Sequence, residues 1–270
     1  MRLVSTNLEY KTAWSDEELP RAAALLSATG ADVIAVQECP SPERLEVLAR
    51  ELGYEHRIAP APQGLHTGLL WALHVDEVSG GDKYAEKTWH GFTSSTLVAQ
   101  GWPCPITVIS AHLVPHDVDG AVAEARLLQT RVRRQGWPGI LVGDLNHGAL
   151  EGPEPSWEEV PVHNRASRTI LDQDRPDVVR LDRRVGLALH RGGLTDVAAR
   201  VAEQRGDESA LAHTGVHGRI RVDQCWVTGA LAPAISGYAR LDHDQVTDHH
   251  PIQVDLDLES LPLVAQVEFH

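Results

Sequence analysis

Short apolar runs alternate with segments of helical spacing along most of the chain. Residues 2–7 predict a first strand, and the β-branched run at residues 32–37 predicts a buried one. The Ala/Leu-rich segment at residues 20–28 lies between them and predicts a helix, with Gly30 just beyond its end. The start of the chain therefore has a strand, helix and strand in succession.

The start of this first helix has two interpretations. Ser15 and Glu18 have the spacing of a capping box, but a helix capped there would hold Pro20 in its interior. A helix that begins at Pro20 avoids this conflict, and the sequence does not decide between the two. A second helix is predicted at residues 42–52, ended by Gly53.

The middle of the chain changes to short apolar runs broken by Gly and Pro, which predict antiparallel strands. These strands are expected at residues 68–73, 96–99 and 106–113. Further elements are expected as helices at 118–134 and 178–190, and as strands at 139–145, 220–227, 234–241 and 252–258. Residues 148–177 are rich in Pro, Glu and Asp and predict a loop, either a specificity lid or an excursion without a role.

No internal repeat or linker divides the chain, so residues 1–270 predict a single domain. Strands and helices mixed along the whole length predict a layered α/β sandwich. The 42% hydrophobic content is sufficient for a sizeable core. The net charge of −14 argues against a protein that holds nucleic acid through a broad basic surface.

The three cysteines, Cys39, Cys104 and Cys225, are far apart and form no Cys-x-x-Cys pair. We expect reduced thiols rather than a zinc ribbon or a disulfide framework. The first residues lack the apolar core of a secretory signal, and no apolar run is long enough to span a membrane. The expected location is the cytoplasm, while the oligomeric state stays open.

The feature most informative about function is a set of polar residues at the ends of predicted strands. Neighbouring strands of a sheet can bring such residues together. They are Asn7, Glu38, His112, Asp144, Asn146, Asp223, Asp248 and His249. The oxygen ligands among them suit a hard cation such as Mg²⁺. A carboxylate paired with a histidine suits an oriented acid, base or phosphate contact. Each residue alone also has an ordinary interpretation, such as a strand-end carboxylate, an Asx turn, or an ion pair between Asp223 and Arg221.

The segments that carry these residues resemble the endonuclease/exonuclease/phosphatase superfamily, which has the deoxyribonuclease I-like fold. They appear in the family's order, as Ser-Thr-Asn at 5–7, Val-Gln-Glu at 36–38, Ser-Ala-His-Leu-Val-Pro at 110–115, Gly-Asp-Leu-Asn at 143–146, Arg-Val-Asp at 221–223 and Thr-Asp-His-His-Pro at 247–251. Single motifs of this kind are weak, but six in order are specific. The resemblance implies a four-layer α/β sandwich, in which two facing mixed β-sheets are flanked by helices.

The resemblance also implies hydrolysis of a phosphoester with Mg²⁺, for which Mn²⁺ is a substitute. It makes Glu38 the principal metal ligand, with Asn7 and Asp248 completing or supporting the metal shell. It makes Asp144 the residue that orients or deprotonates the attacking water, and gives Asn146 a contact to the phosphoryl oxygen or the water.

The resemblance further implies that His249, paired with Asp223, contacts the scissile phosphate. His112 takes the place of a phosphate-side or leaving-group acid. Apurinic-site endonucleases of the superfamily carry Tyr at this position, so His112 favours the deoxyribonuclease I-like or sphingomyelinase-like branches. The basic residue that many DNA-acting members have after Gln-Glu is missing until Arg44, which weakens a DNA-binding interpretation.

Several residues near the motifs are ambiguous. The basic run of His213, His217, Arg219 and Arg221 either grips a phosphate or sugar, with Arg219 and Arg221 as substrate contacts, or is a solvated loop. A second group, His116, His147 and His250, is expected to be incidental, and a zinc site built from them is the weaker hypothesis beside Mg²⁺. Trp89 and Trp157 lie in loop-like segments and are candidates for the mouth of the site.

The sequence thus predicts a phosphoesterase acting on a monoester or diester, with a small phosphorylated molecule favoured over nucleic acid. A Mg²⁺-dependent endonuclease or exonuclease is the main alternative. A non-catalytic binding module that keeps the fold is a second alternative, and a phosphoryl-transfer or lyase-like enzyme is a third.

Overall fold

The computed structural model describes residues 1–171, 174–175, 177–216 and 218–262. The strands are β1 Arg2–Asn7, β2 Val33–Cys39, β3 Tyr54–Ala59, β4 His66–Ala72, β5 Val75–Gly80, β6 Phe92–Ala99, β7 Ile106–His112, β8 Gly139–Asp144, β9 Thr169–Leu171, β10 Val179–Leu181, β11 Leu194–Asp196, β12 Asp223–Thr228, β13 Ile235–Arg240 and β14 Ile252–Leu256. The α-helices are α1 Leu19–Ser27, α2 Pro42–Leu52, α3 Val118–Arg131, α4 Val162–Arg165, α5 Arg184–Arg191 and α6 Val197–Arg205. Shorter helical turns span Glu9–Ala13, Ala85–Lys87, Glu208–Leu211, Ala232–Ala234 and Leu258–Ser260.

Two six-stranded sheets form the centre of the molecule. The first has the strand order β13-β14-β1-β2-β4-β3, and the second has the order β11-β12-β8-β7-β6-β5. Both are mixed, because β1 is parallel to β2 and β7 is parallel to β8, whereas the other neighbours are antiparallel. The parallel pair at the middle of each sheet brings the carboxyl ends of β1, β2, β7 and β8 to the sheet edges where polar residues were predicted.

Apolar side chains from the two sheets meet in one buried cluster between them. Leu3, Ala35 and Leu69 from the first sheet share this cluster with Val108 and Val142 from the second. All five are completely buried. Because burial of each Val or Leu side chain contributes about 1.5–3 kcal/mol, this contact fixes the sheets face to face.

Helices cover the outer face of each sheet. On the first sheet, Ile34 and Leu70 pack with Leu45 and Leu48 of α2, and α1 adds Leu26 to the same cluster. On the second, the outward-facing side of β8 and β12 packs against α3 and α5 through residues that include Leu141, Trp226, Leu128 and Leu189. The predicted arrangement of two facing mixed sheets flanked by helices is therefore confirmed.

The first helix begins at Leu19, which places Pro20 in its first turn, where no backbone N–H is needed. The Ser15 hydroxyl accepts the N–H of Glu18 at 3.1 Å, so it stabilises the turn before the helix rather than its first residues. The second helix has the predicted bounds, and Gly53 ends it with a φ of 68°.

The helix predicted at residues 178–190 is wrong in its first part. Residues Val179–Leu181 form β10 and pair with β9, and the helix begins only at Arg184. Helix α6 was not predicted, although Asp196 caps it by accepting the N–H groups of Ala198 and Ala199. The described residues of the segment 148–177 include α4 and β9, so this part is not loop throughout.

All three cysteines are buried free thiols, as expected. Among the residues that the structure describes, no helix has the length and apolar character needed to cross a membrane.

Candidate active site

The sequence-predicted residues meet at one edge of the two facing sheets. Asn7 is the last residue of β1, and Glu38 is the penultimate residue of β2, its parallel neighbour. His112 and Asp144 end β7 and β8 and lie opposite each other in the parallel ladder. Asp223 opens β12 and lies opposite Asp144. The strand register within each sheet, together with the packing of the two sheets face to face, therefore places amide, acid and imidazole side chains together.

The Asn7 side chain connects the two sheets. Its amide nitrogen donates to Glu38 Oε1 at 3.2 Å and to Asp144 Oδ2 at 3.0 Å. Its oxygen accepts the backbone N–H of Glu9 at 3.1 Å, which fixes the orientation of the amide. Asn7 therefore holds the two carboxylates, one from each sheet, on either side of its own nitrogen.

Glu38 has an unusual backbone conformation. Its φ is 59°, and the pairing of β2 with β4 shifts register between Val36 and Cys39. A positive φ at a residue other than glycine costs on the order of 1 kcal/mol and is found where surrounding structure enforces it. The bulge takes Glu38 out of the strand alternation and brings its carboxylate to Asn7.

A buried carboxylate holds the second histidine of the set. Nδ1 of His249 lies 2.8 Å from Oδ2 of Asp223, which is completely buried. Nε2 of the same ring lies 3.8 Å from Asp144 Oδ2 and 3.9 Å from Asp248 Oδ1. Burial acts to lower the pKa of His249, but the charges of Asp223 and Asp144 outweigh it and raise the pKa to about 10.

Asp144 lies at the centre of the cluster. Its Oδ1 accepts the backbone N–H of Asn146 at 2.8 Å, and its Oδ2 lies 3.5 Å from His112 Nε2. Burial acts to raise the pKa of Asp144, but the positive charges of His249 and His112 and the hydrogen bonds from Asn146 and Asn7 lower it overall. A carboxylate held in this way stays ionised and keeps its acceptor oxygens for the pocket.

Asn146 follows β8 with a φ of 59°, and hydrogen bonds of its side chain fix its position. Its amide nitrogen donates to the Leu113 carbonyl at 2.8 Å. Its oxygen accepts from Arg168 at 3.4 Å, and the same guanidinium donates to the Pro115 carbonyl at 2.7 Å. Arg168 was not predicted, because it comes from the irregular segment after α4 rather than from a strand end.

His90 was also missed. Its ring stacks on that of His112 with centroids 4.0 Å apart and planes 10° apart. Burial and the charge of His112 lower the pKa of His90 to about 3. Next to it, the half-exposed Trp89 makes an edge contact with His116, whose ring centroid lies 5.0 Å away. These four rings form a wall beside the carboxylates.

The two predicted arginine contacts differ from expectation. Arg221 is buried in a two-point ion pair with Asp196, at 3.0 and 2.7 Å, and also donates to the Glu151 carbonyl. We therefore correct its assignment from substrate binding to support of the fold. Arg219 is exposed and pairs with Glu159 at 3.2 Å, so its substrate contact stays a prediction.

The other ambiguous residues have clear surroundings. His147 is completely buried, and its Nε2 lies 2.9 Å from the Val114 carbonyl, as suits an incidental histidine. Trp157 packs against Val160 and the buried residues around it. This contact accounts for its position without a place at the mouth of the site. His217 lies outside the described residues.

Solved structures with this architecture include three that differ in their named activities. An endonuclease/exonuclease/phosphatase family protein from Bacteroides thetaiotaomicron superposes with a TM-score of 0.64 at 17% identity, over 95% of this chain and 97% of the other. A mannosyl-6-phosphatase from the same organism gives 0.63 at 17% identity, over 95% and 99%. A 3′-5′ exonuclease from Neisseria meningitidis gives 0.66 at 15% identity, over 95% and 100%.

The chain has the endonuclease/exonuclease/phosphatase fold. This confirms the predicted resemblance at the level of the fold. No protein-family model and no curated protein matches the sequence. The phosphatase and the nuclease share the same architecture, so the fold leaves the substrate to be argued from the site.

A candidate metal-binding cluster lies among the sequence-predicted residues. Asp144, Asp223 and His249 each offer a ligand atom within 4.8 Å of the others. Glu38 adds a carboxylate 3.2 Å from the Asn7 amide, and Asp248 adds one beside His249. A donor set this rich in carboxylate oxygens fits a hard divalent cation. The Asn7 oxygen accepts from Glu9 instead of facing the carboxylates, so its part in a metal shell, whether completing or supporting it, stays a prediction.

Proposed function

We propose that this chain is a metal-dependent phosphoesterase that hydrolyses a small phosphorylated molecule. The supporting observation is the unbroken series of contacts from Glu38 through Asn7 to Asp144, and from Asp144 to the His249–Asp223 pair. A binding module has no need to bury so many titratable groups around one pocket, because each costs free energy to desolvate.

Glu38 and Asp248 would hold Mg²⁺, with Asn7 fixing the position of Glu38. When bound, the ion neutralises phosphate charge and polarises the phosphoryl oxygen. The separation of roles follows from the contacts, since Asp223 is already occupied by His249 and Asp144 by Asn7 and Asn146.

Asp144 is the group that positions the attacking water and accepts its proton. Its carboxylate is ionised and rigid, because both oxygens take part in hydrogen bonds from residues on different strands or loops. Two imidazole nitrogens lie within 3.5 and 3.8 Å of the same oxygen, on His112 and His249. His249 already carries a proton on both ring nitrogens, so a proton taken up by Asp144 passes to His112, which can return it to the leaving oxygen.

His249 and His112 stabilise the phosphate. Asp223 takes the Nδ1 side of His249, which leaves Nε2 facing the pocket as a donor. His112, at the end of β7, presents its Nε2 to the pocket and is positioned to donate to the leaving oxygen. Donors that are already oriented stabilise developing charge without reorganising during the reaction.

Three features favour a small substrate over a polymer. The net charge of −14 opposes the approach of a long polyanion. Arg168 places a guanidinium against Asn146, whereas Arg221 is engaged with Asp196. A cavity of about 340 Å³ lies beside the ring wall, lined by Trp89, His116 and Lys87 among others, and has room for the organic part of a small molecule.

The test is a release screen with Mg²⁺ or Mn²⁺ over sugar phosphates, nucleotides, inositol phosphates, a chromogenic phosphodiester and plasmid DNA. The wild-type chain is compared with Glu38→Ala and with Glu46→Ala, an exposed carboxylate on α2 that serves as the matched control. We expect turnover of a small phosphoester that EDTA and Glu38→Ala abolish and Glu46→Ala leaves unchanged.

Cleavage of DNA with no small-molecule turnover would replace the substrate class by the nuclease alternative. No metal-dependent turnover in the screen, together with no effect of Glu38→Ala, would contradict the proposal and favour a binding module. Reaction in ¹⁸O-labelled water separates hydrolysis from phosphoryl transfer or a lyase reaction, because only hydrolysis places solvent oxygen in the product.

A further inference from the structure

A second cluster of imidazole and carboxylate groups lies in the loop between β13 and β14. Asp242, His243 and His250 each present a ligand atom, and the three atoms lie within 4.8 Å of one another. The base of this loop is closed by a hydrogen bond from the Leu241 N–H to the Pro251 carbonyl at 2.8 Å, which continues the strand ladder. The cluster therefore sits on a fixed base.

His250 has the tautomer that a metal ligand needs. Its Nδ1 lies 3.0 Å from the Leu241 carbonyl, and a carbonyl only accepts hydrogen bonds. Nδ1 therefore carries the proton, and Nε2 keeps its lone pair. Histidines that bind metals commonly donate their other ring N–H to a backbone carbonyl in this manner.

One ring nitrogen of His243 has no hydrogen-bond partner among the described residues. Its ring meets that of His250 edge to face, with centroids 4.7 Å apart. Its Nδ1 is buried and has no hydrogen-bond partner within the described part of the chain. An unsatisfied buried nitrogen destabilises the fold, and a bound ligand on this ring would offset that cost.

Asp242 supplies the negatively charged ligand of the cluster. It is exposed, and its Oδ1 accepts the N–H of Asp244 at 3.2 Å, which restrains the carboxylate in a tight turn. Two imidazoles with one carboxylate differ from the oxygen set around Glu38. This mixture is typical of Zn²⁺, while Mg²⁺ prefers oxygen ligands alone.

We propose that Asp242, His243 and His250 form a second metal site, selective for Zn²⁺ and separate from the proposed Mg²⁺ site. Three protein ligands leave a fourth tetrahedral position for water or an added ligand. The next imidazole in reach is that of His213, whose ring centroid lies 5.9 Å from that of His250.

The site would restrain the loop that carries the proposed catalytic residues. His250 directly follows Asp248 and His249, and its backbone N–H donates to the Thr214 carbonyl at 2.8 Å. The Thr247 hydroxyl donates to the Asn7 carbonyl at 2.6 Å, so the same loop is also attached to β1. Zn²⁺ bound here would hold both ends of the segment that presents His249.

The test is titration of the metal-free full chain with Zn²⁺ by calorimetry, repeated with Co²⁺ by visible absorption. His243→Ala and Asp242→Asn remove proposed ligands, and the exposed His190→Ala is the matched control. Asp144→Asn removes a ligand atom from the active-site cluster instead. Thermal unfolding in EDTA checks that each variant is folded.

We expect Zn²⁺ affinity to fall by about 100-fold in His243→Ala, the upper end of the loss that removal of an outer partner commonly causes, and by at least about tenfold in Asp242→Asn. His190→Ala and Asp144→Asn are expected to keep a Zn²⁺ site with tetrahedral Co²⁺ absorption. Unchanged affinity in folded His243→Ala or Asp242→Asn, or loss of all Zn²⁺ binding in Asp144→Asn, would overturn the proposal. Asp242 is exposed, so its substitution keeps the test valid even where His243→Ala does not fold.

Discussion

Nδ1 of His249 lies 2.8 Å from Oδ2 of the fully buried Asp223, a contact that joins the loop before β14 to the first residue of β12. The carboxylate determines which nitrogen of the ring carries the shared proton. It thereby leaves Nε2 directed toward Asp144, at 3.8 Å. Asp223 thus sets the position of the ring and, together with Asp144, its protonation.

Asp223→Asn is expected to lower kcat strongly with a smaller effect on KM. The amide preserves the size of the side chain but removes the charge that stabilises the protonated ring, so loss of the donor is expected to cost about 10²- to 10⁴-fold. Steady-state kinetics on the substrate found in the screen measures it, with the exposed Asp76→Asn as the matched control. A kcat within about threefold of wild type would show that the pair serves the fold and not the reaction.

Asn7→Asp is expected to destabilise the metal-free chain. The new carboxylate would lie where the amide now donates to Glu38 and Asp144, at 3.2 and 3.0 Å, so two attractive contacts become repulsive. Loss of satisfied hydrogen bonds at a buried site costs about 1–3 kcal/mol, and the added repulsion raises the proton affinity of the cluster.

Urea unfolding with and without Mg²⁺ measures this effect. Saturating Mg²⁺ is expected to restore part of the stability of Asn7→Asp, because a cation relieves the repulsion between carboxylates. Asn164→Asp, on α4, is the control and is expected to show little change. Equal stability of Asn7→Asp and wild type in EDTA would contradict the bridging role of Asn7.

His90 is expected to make the fold sensitive to acid. Burial and the charge of His112 lower its pKa to about 3 in the folded chain, with a smaller opposing effect from Asp144 and a further lowering from His116. A histidine in an unfolded chain has a pKa of about 6.5. Below about pH 6.5 His90 binds a proton in the unfolded state but not in the folded state. The free energy of unfolding therefore falls as the pH drops toward 3.

His90→Phe keeps a ring stacked on His112 but removes the titrating nitrogen. Urea unfolding at pH 7.5, 6.5 and 5.5 is expected to show wild type losing on the order of 1 kcal/mol per pH unit more than this variant below pH 6.5. The exposed His190→Phe is expected to follow wild type. Parallel pH curves for wild type and His90→Phe would show that His90 is not the source.

Sequence alone predicted the residues that strand register brings together. Asn7, His112 and Asp144 end apolar strands, and such ends meet wherever parallel strands are neighbours in a sheet. Short apolar runs mark these strands in the sequence, so the residue at which each strand ends can be predicted. Glu38 was likewise predicted as a strand-end residue, although the bulge that turns it toward Asn7 has no signature in the sequence.

Residues delivered by irregular segments were not predictable in this way. His90 and Arg168 come from loops, where no periodicity indicates which side chain faces the site. Val179–Leu181 has helical spacing with its neighbours but pairs with β9, because a strand partner nearby overrides a weak helical preference. Arg221 was assigned to substrate because its ion-pair partner, Asp196, is remote in sequence.

Arg168 is expected to contribute to binding of the phosphate group. Its guanidinium contacts the Asn146 oxygen at 3.4 Å and the Pro115 carbonyl at 2.7 Å, so it is fixed beside the residue proposed to contact the phosphoryl oxygen. A fixed guanidinium binds phosphate through two parallel hydrogen bonds, which an ammonium group cannot reproduce. Arg168→Met is therefore expected to raise KM by about tenfold and Arg168→Lys by less, as a contact of this kind is worth about 1.5–3 kcal/mol at most.

The matched control is Arg165→Met, since Arg165 lies in the same segment and also donates to a backbone carbonyl, that of Val160 at 3.1 Å, without contacting the site residues. Inhibition by inorganic phosphate gives a second measurement that does not require the natural substrate. If Arg168 binds the phosphate group, its loss weakens phosphate inhibition and raises KM together. If it only holds the loop, Arg165→Met and Arg168→Met lower thermal stability to a similar extent, and phosphate inhibition of Arg168→Met stays at the wild-type level.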